Sequence, residues 1–144
     1  MKLYLPENTH FSCDPVLDLL RLTKTIAVVG LSSNPSRPSH QVSAYMQSVG
    51  YRIIPVNPNE REVLGQKAYP CLEEVPEPID LVDIFRRSED IPPIIDSAIT
   101  IRPKAVWLQL GIVNSPACEA ACSAGLLAIE DACIFVEHKK RRPI

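Results

Sequence analysis

The chain is poor in the features that mark membrane, secreted or nucleic-acid-binding proteins. No apolar run approaches the roughly 20 residues needed to span a bilayer, and residues 1–10 carry no basic segment followed by an apolar core, so no secretory signal is expected. The five cysteines are an odd set without the paired spacing of a disulfide framework, which points to a reducing, cytoplasmic setting. A net charge of −2 leaves no basic excess for general nucleic-acid binding. Glycine is scarce, at five residues, and neither G-x-G-x-x-G nor G-x-x-x-x-G-K-[ST] occurs. No H-E-x-x-H, Ser–His–Asp set or carboxylate pair stands out, so the sequence supports no catalytic machinery.

What is present suits a globular α/β chain. Its 144 residues match one domain large enough to bury roughly two-thirds of its unfolded surface. The 14 prolines punctuate the chain and do not cluster. Residues 14–22 read as a short helix, with Asp14 as cap, Pro15 at the first position and Val16, Leu19 and Leu20 on the apolar face. Residues 25–29 are a β-branched apolar run without alternation, as in a parallel strand covered on both faces. Residues 39–49 read as a helix with Val42, Tyr45, Met46 and Val49 on one side, closed by Gly50. Further strands are expected at 51–56, 79–85, 104–110 and 126–129, and one helical turn at 70–75. Helices are expected from Ile91 to Ile99, with Pro92 and Pro93 in the first turn, and at 116–125, with Ser115 as cap. Five strands alternating with helices imply right-handed crossovers and a parallel sheet.

The most informative stretch is T-I-A-V-V-G-L-S-S-N-P-S-R-P-S at 25–39. A strand ends at Gly30 and passes through a hydroxyl-rich loop into a helix. Such a junction aims backbone N–H groups at one point and favours an anion there. Ser32, Ser33, Ser36 and Ser39 are donors, and Arg37 offers a fork that suits phosphate. The competing account is a polar loop whose serines cap the helix. The strand at 51–56 ends in Pro55-Val56-Asn57-Pro58 without the acid that accepts from NAD ribose hydroxyls, although Glu60 follows. An acid-free strand end suits a ribose that carries its own phosphate, as in NADP or coenzyme A (CoA). Arg86 and Arg87 are available counter-charges, or else surface partners of Glu89 and Asp90.

Taken together, A-V-V-G-L-S-S-N-P-S-R-P-S at 27–39, G-Y-R-I-I-P-V-N-P-N at 50–59, D-L-V-D-I-F-R-R-S-E at 80–89 and K-A-V-W-L-Q-L-G at 104–111 resemble the single-domain CoA-binding protein family. A looser match is E-D-A-C-I-F-V-E-H at 130–138. The family's fold is like the CoA-binding domain of the succinyl-CoA synthetase alpha subunit. The resemblance implies a three-layer Rossmann-like α/β fold with a five-stranded parallel sheet, for which the order 3-2-1-4-5 is expected. It implies a CoA-binding domain at 25–138, with residues 1–24 as a helical extension packed on it and 139–144 as a basic tail. It further implies that Gly30, Leu31 and Ser32 hold phosphates together with Arg37 and Ser39. Val56, Asn57, Pro58, Phe85 and Arg86 would flank the adenosine and its phosphates, and Gln109 and Gly111 the pantetheine arm. The family usually has an arginine before its late cysteine, where this chain has Ala132.

Cys118 and Cys122, with Cys133 and His138, are zinc ligand types, but the pair lacks a matching second pair and reads as small core residues. Cys133 falls just past a strand end, as an inert cysteine or as a thiol that meets that of CoA. His10, His40 and His138 lie in no glycine-rich segment suited to a phosphorylated histidine. The expectation is a cytoplasmic binder of CoA or acyl-CoA that carries, senses or protects it or docks to a partner enzyme. Self-association stays open. The rivals are an NADP-linked oxidoreductase and a regulatory module that retains only the fold.

Overall fold

The structure, a computed structural model, describes residues 1–7 and 9–143. The order is β1 (Lys2–Tyr4), α1 (Pro15–Leu22), β2 (Thr25–Val29), α2 (Pro38–Ser48), β3 (Arg52–Val56), β4 (Glu62–Val63), β5 (Gln66–Lys67), β6 (Leu81–Ile84), α3 (Ile91–Ile101), β7 (Ala105–Leu108), α4 (Ser115–Ser123), β8 (Leu127–Glu130) and α5 (Ile134–Arg141). A six-stranded sheet runs β1-β8-β7-β6-β2-β3, parallel except for β1, and β4 and β5 form a separate hairpin.

Local signals set the elements as expected. Asp14 caps α1 by accepting from the Leu17 N–H, with Pro15 in the first turn. β2 spans the anticipated residues. Pro92 and Pro93 sit in the first turn of α3, where a missing N–H costs no helical hydrogen bond. α4 departs from expectation, because its cap is Asn114, whose Oδ1 accepts from the Ala117 N–H at 3.1 Å. The Ser115 hydroxyl instead donates to Glu130. α2 buries Ser39, Ser43 and Met46, while Val49 is exposed. Tyr45 lies on its flank and meets Phe135 of α5 edge-on at 4.3 Å.

Two apolar layers flank the sheet. Ile95 and Ala98 of α3 and Ala121 of α4 pack on Val82, Ile84, Val106 and Leu108. On the opposite face Leu19, Leu20, Met46 and Ile134 pack on Ile26, Val28 and Trp107. Helices follow β2 on one face and β6 on the other, so the winding reverses between these neighbouring strands.

Three expectations are corrected. The five anticipated strands lie in the order 2-1-3-4-5, not 3-2-1-4-5. The outer edge of β3 is already taken, because Tyr69 N–H donates to the Pro55 carbonyl and Asn57 N–H to the Tyr69 carbonyl, as a single parallel bridge. The strand β6 therefore pairs with the other edge of β2. The sheet also has a sixth strand. β1 adds antiparallel to β8, and the Tyr4 hydroxyl donates to the Glu130 carboxylate at 2.6 Å. Finally, the basic tail expected from residue 139 is helical as far as Arg141. It is the last turn of α5, where cations suit the carbonyl end of a helix, and Arg141 pairs with Asp14 and Glu137 at 2.8 Å each. Ile144 lies outside the described residues, as does Asn8 of the N-terminal extension.

Candidate functional site

The carboxyl ends of β3, β2 and β6 lie side by side at the point where the winding reverses, the usual location of a ligand in an open α/β sheet. Gly30 stands at its centre. Its N–H donates to the Val56 carbonyl and the Phe85 N–H to the Val29 carbonyl, both at 2.9 Å, so the strand ends are stitched across the crevice. Gly30 has φ +88°, and a Cβ there would collide with the Phe85 carbonyl oxygen. Glycine is required by close backbone approach as well as by conformation.

The loop after Gly30 is tightly self-bonded. Leu31 is fully buried and belongs to the apolar core beneath the loop. The Ser32 N–H donates to the Ser39 hydroxyl at 3.1 Å and the Ser32 hydroxyl accepts from Asn34 at 3.0 Å. Asn57, also buried, donates through Nδ2 to the Leu31 carbonyl and accepts from the Asn59 N–H. Ser39 and Asn57 thus shape the loop with their side chains. Glu60, half-buried beyond β3, turns back and accepts from the Ser33 N–H at 2.6 Å. Arg37 caps α2 through its backbone and is exposed, with no side-chain hydrogen bond or ion pair among the described residues.

The two adjacent arginines differ. Arg87 is 76% exposed and pairs with Glu89 at 3.4 Å and Asp90 at 3.1 Å, a surface arrangement worth little. Arg86 is half-buried, its guanidinium carbon lies 3.3 Å from where a Gly30 Cβ would be, and it has no such partner among the described residues. Beside it opens a cavity of about 280 Å³, walled by Val29, Val56, Pro58, Leu72, Arg86 and Ile94. The size is just under the roughly 300 Å³ at which pockets for drug-sized ligands begin.

Four further wall residues, Pro70, Cys71, Pro93 and Ser97, escaped sequence reasoning. They lie on the connector after β5 and on the first turns of α3, which fold back over the strand ends. No motif marks them. Glu60 as a partner of the loop was missed for the same reason.

Gln109 and Gly111 lie apart from this group, after β7, two strands or about 10 Å across the sheet from β2. The Gln109 side chain is buried and spent internally. Its Nε2 donates to Asp83 and its Oε1 accepts from the Ile134 N–H, the first amide of α5. Asp83 is 1% exposed, and burial pushes its carboxyl up to about 7. Gly111, with φ +84°, donates its N–H to Asp131 at 2.8 Å and is exposed. Cys133 is the half-buried residue that precedes α5.

The other chemical candidates lie elsewhere. Cys118 is buried beside Glu130, and burial pushes its thiol up to about 12, so it stays protonated. His138 is buried against Tyr45, its Nδ1 2.9 Å from the hydroxyl, and burial lowers its pKa. Among the described residues no group of three or more His, Cys, Asp or Glu is placed to hold a metal. None of the described helices is long and apolar enough to cross a membrane.

A doubly wound sheet with a glycine-centred loop, an unpaired arginine and an apolar slot at its switch point defines a Rossmann-like α/β domain. Residues 24–139 match the family described as CoA binding domain, and the chain belongs to that family. It is 45% identical over 123 residues to the uncharacterized protein YneT of Bacillus subtilis, covering 85% of this chain and 91% of that one. It is 36% identical over 70 residues to the alpha subunit of ADP-forming acetate–CoA ligase II of Pyrococcus furiosus. That match covers 48% of this chain but only 15% of the ligase subunit. Among solved structures, a hypothetical protein from Pyrococcus horikoshii OT3 superposes with a TM-score of 0.88 at 32% identity, covering 99% of both chains.

Proposed function

We propose that this protein holds CoA or an acyl-CoA at the carboxyl ends of β2, β3 and β6, as a carrier, sensor or protective protein without chemistry of its own. The observation that carries the proposal is the apolar slot beside Gly30 with Arg86 left unpaired at its wall. An apolar slot suits the adenine ring, and a half-buried arginine without a carboxylate suits a phosphate. Gly30 lets the chain turn closely beneath the diphosphate, which lies over the loop from Ser32 onward, with Arg37 at the start of α2. The exposed Gly111 loop lies in the direction of the pantetheine arm. Ser39, Asn57 and Gln109 support the site by holding backbone groups in place. Membership of the CoA binding domain family supports CoA over NADP.

Isothermal titration of the purified protein with CoA, dephospho-CoA, NADP and NAD tests this. CoA is expected to bind, and removal of its 3′-phosphate to weaken it. Tight NADP binding without CoA binding would sink the proposal.

A further inference from the structure

We infer that Glu60 is a built-in competitor for the phosphate loop and determines how tightly nucleotides bind there. The inference rests on the CoA proposal above. Five amides of the loop already have acceptors. Four of them, those of Ser32, Asn34, Ser36 and Arg37, are met by Ser39, Ser32, Asn34 and Asn34 respectively, all within the loop or the first turn of α2. Pro35 and Pro38 have no N–H to offer.

The fifth, the Ser33 amide, is different. Its acceptor is the carboxylate of a residue 27 positions away, at 2.6 Å, and the amide lies at the exposed side of the loop. Glu60 is the exchangeable acceptor, because its departure disturbs no turn of the loop itself. Its own backbone N–H stays tied to the Asn57 carbonyl at 3.2 Å, so a side-chain rotation suffices. Glu60 forms no ion pair with Lys, Arg or His among the described residues.

A diphosphate entering the loop meets this carboxylate. Two anions cannot share one N–H, so the ligand either expels Glu60 or leaves Ser33 unused and lies beside a like charge. Both outcomes lower affinity. The carboxylate at this position therefore acts against the phosphate, in contrast to the acid that accepts from ribose hydroxyls at the corresponding strand end of NAD sites.

The test compares wild type, Glu60→Gln, Glu60→Ala and, as a charge control on the exposed face of α4, Glu119→Gln. CoA affinity is measured by calorimetry at low salt, and the Ser33 amide is followed by NMR. The two Glu60 variants are expected to bind CoA about ten- to hundredfold more tightly, the size of losing one charge-assisted competitor. The Ser33 amide resonance is expected to shift on CoA saturation of the wild type. Equal or weaker CoA binding by both Glu60 variants, with the wild type still binding, would overturn the role of Glu60 and leave the CoA proposal standing. Equal tightening by Glu119→Gln would assign the effect to net charge and overturn it as well. Absence of CoA binding by wild type and variants alike would instead remove the CoA proposal itself.

Discussion

Replacing Gly30 with alanine places a methyl group against the Phe85 carbonyl oxygen, with the carbonyl carbon at 3.2 Å and the Arg86 guanidinium carbon at 3.3 Å. The carbonyl cannot retreat freely. The Phe85 N–H is bonded to Val29 and the strand it ends, β6, is laddered to both β2 and β7. Two costs add. A left-handed backbone costs a non-glycine residue about 1–2 kcal/mol, and overpacking against a fixed neighbour about 1–3 kcal/mol. The expected loss is therefore about 2–5 kcal/mol. At about 3 °C per kcal/mol for a chain of this size, the melting temperature falls by roughly 6–15 °C. Gly65→Ala is the matched control, since Gly65 has φ +76° but nothing within 4 Å of where the alanine methyl group would sit. It should lose only the backbone cost. Urea unfolding of both variants separates the two contributions. Losses equal to within about 0.5 kcal/mol would show that the close approach of Phe85 does not constrain the loop.

Two other predictions concern charge. Asp83 has a folded pKa of about 7 against an ordinary 3.8, so the folded state binds its proton more tightly than the unfolded state. Its contribution to stability is full below about pH 4, declines as pH rises towards 7 and is flat above. Asp83→Asn should remove that decline, worth up to about 4 kcal/mol at 1.36 kcal/mol per pH unit; parallel stability curves for the two proteins between pH 4 and 8 would refute this. For the arginines, Arg86→Ala and Arg37→Ala should each weaken CoA binding by about 1–3 kcal/mol, as for a charged hydrogen bond to phosphate. Arg87→Ala, which breaks only exposed pairs, should change it by less than about 0.5 kcal/mol, and calorimetric affinities that rank Arg87 above Arg86 would contradict the assignment.

Much of this architecture is written in short stretches of chain. The run 25–29 has no alternation and is covered on both faces. Asp14-Pro15 starts α1, and Pro92-Pro93 fits only the first turn of α3. These depend on neighbours a few residues away, so they are legible. The loop after Gly30 and the strand-end residues that share its crevice are legible too, because strand ends of one parallel sheet lie at one edge. Ser39 and Asn57 belong to the site on the sequence reading, yet their side chains hold the loop, since their partners are backbone groups brought in by the fold.

By itself, then, the sequence determined the alternation of strand and helix, the glycine at the turn and the supply of arginines near it, all matters of local chemistry. Tertiary structure decided the rest. The Tyr69 segment occupies the edge of β3 and so sends β6 to the far side of β2. That placement sets Arg86 against Gly30 and opens the slot between β3 and α3. Burial separates Arg86 from its neighbour Arg87, and a contact 27 residues long gives Glu60 its hold on Ser33. Pairings of this kind depend on which surfaces compete for one another after the chain collapses, and no spacing in the sequence records that competition.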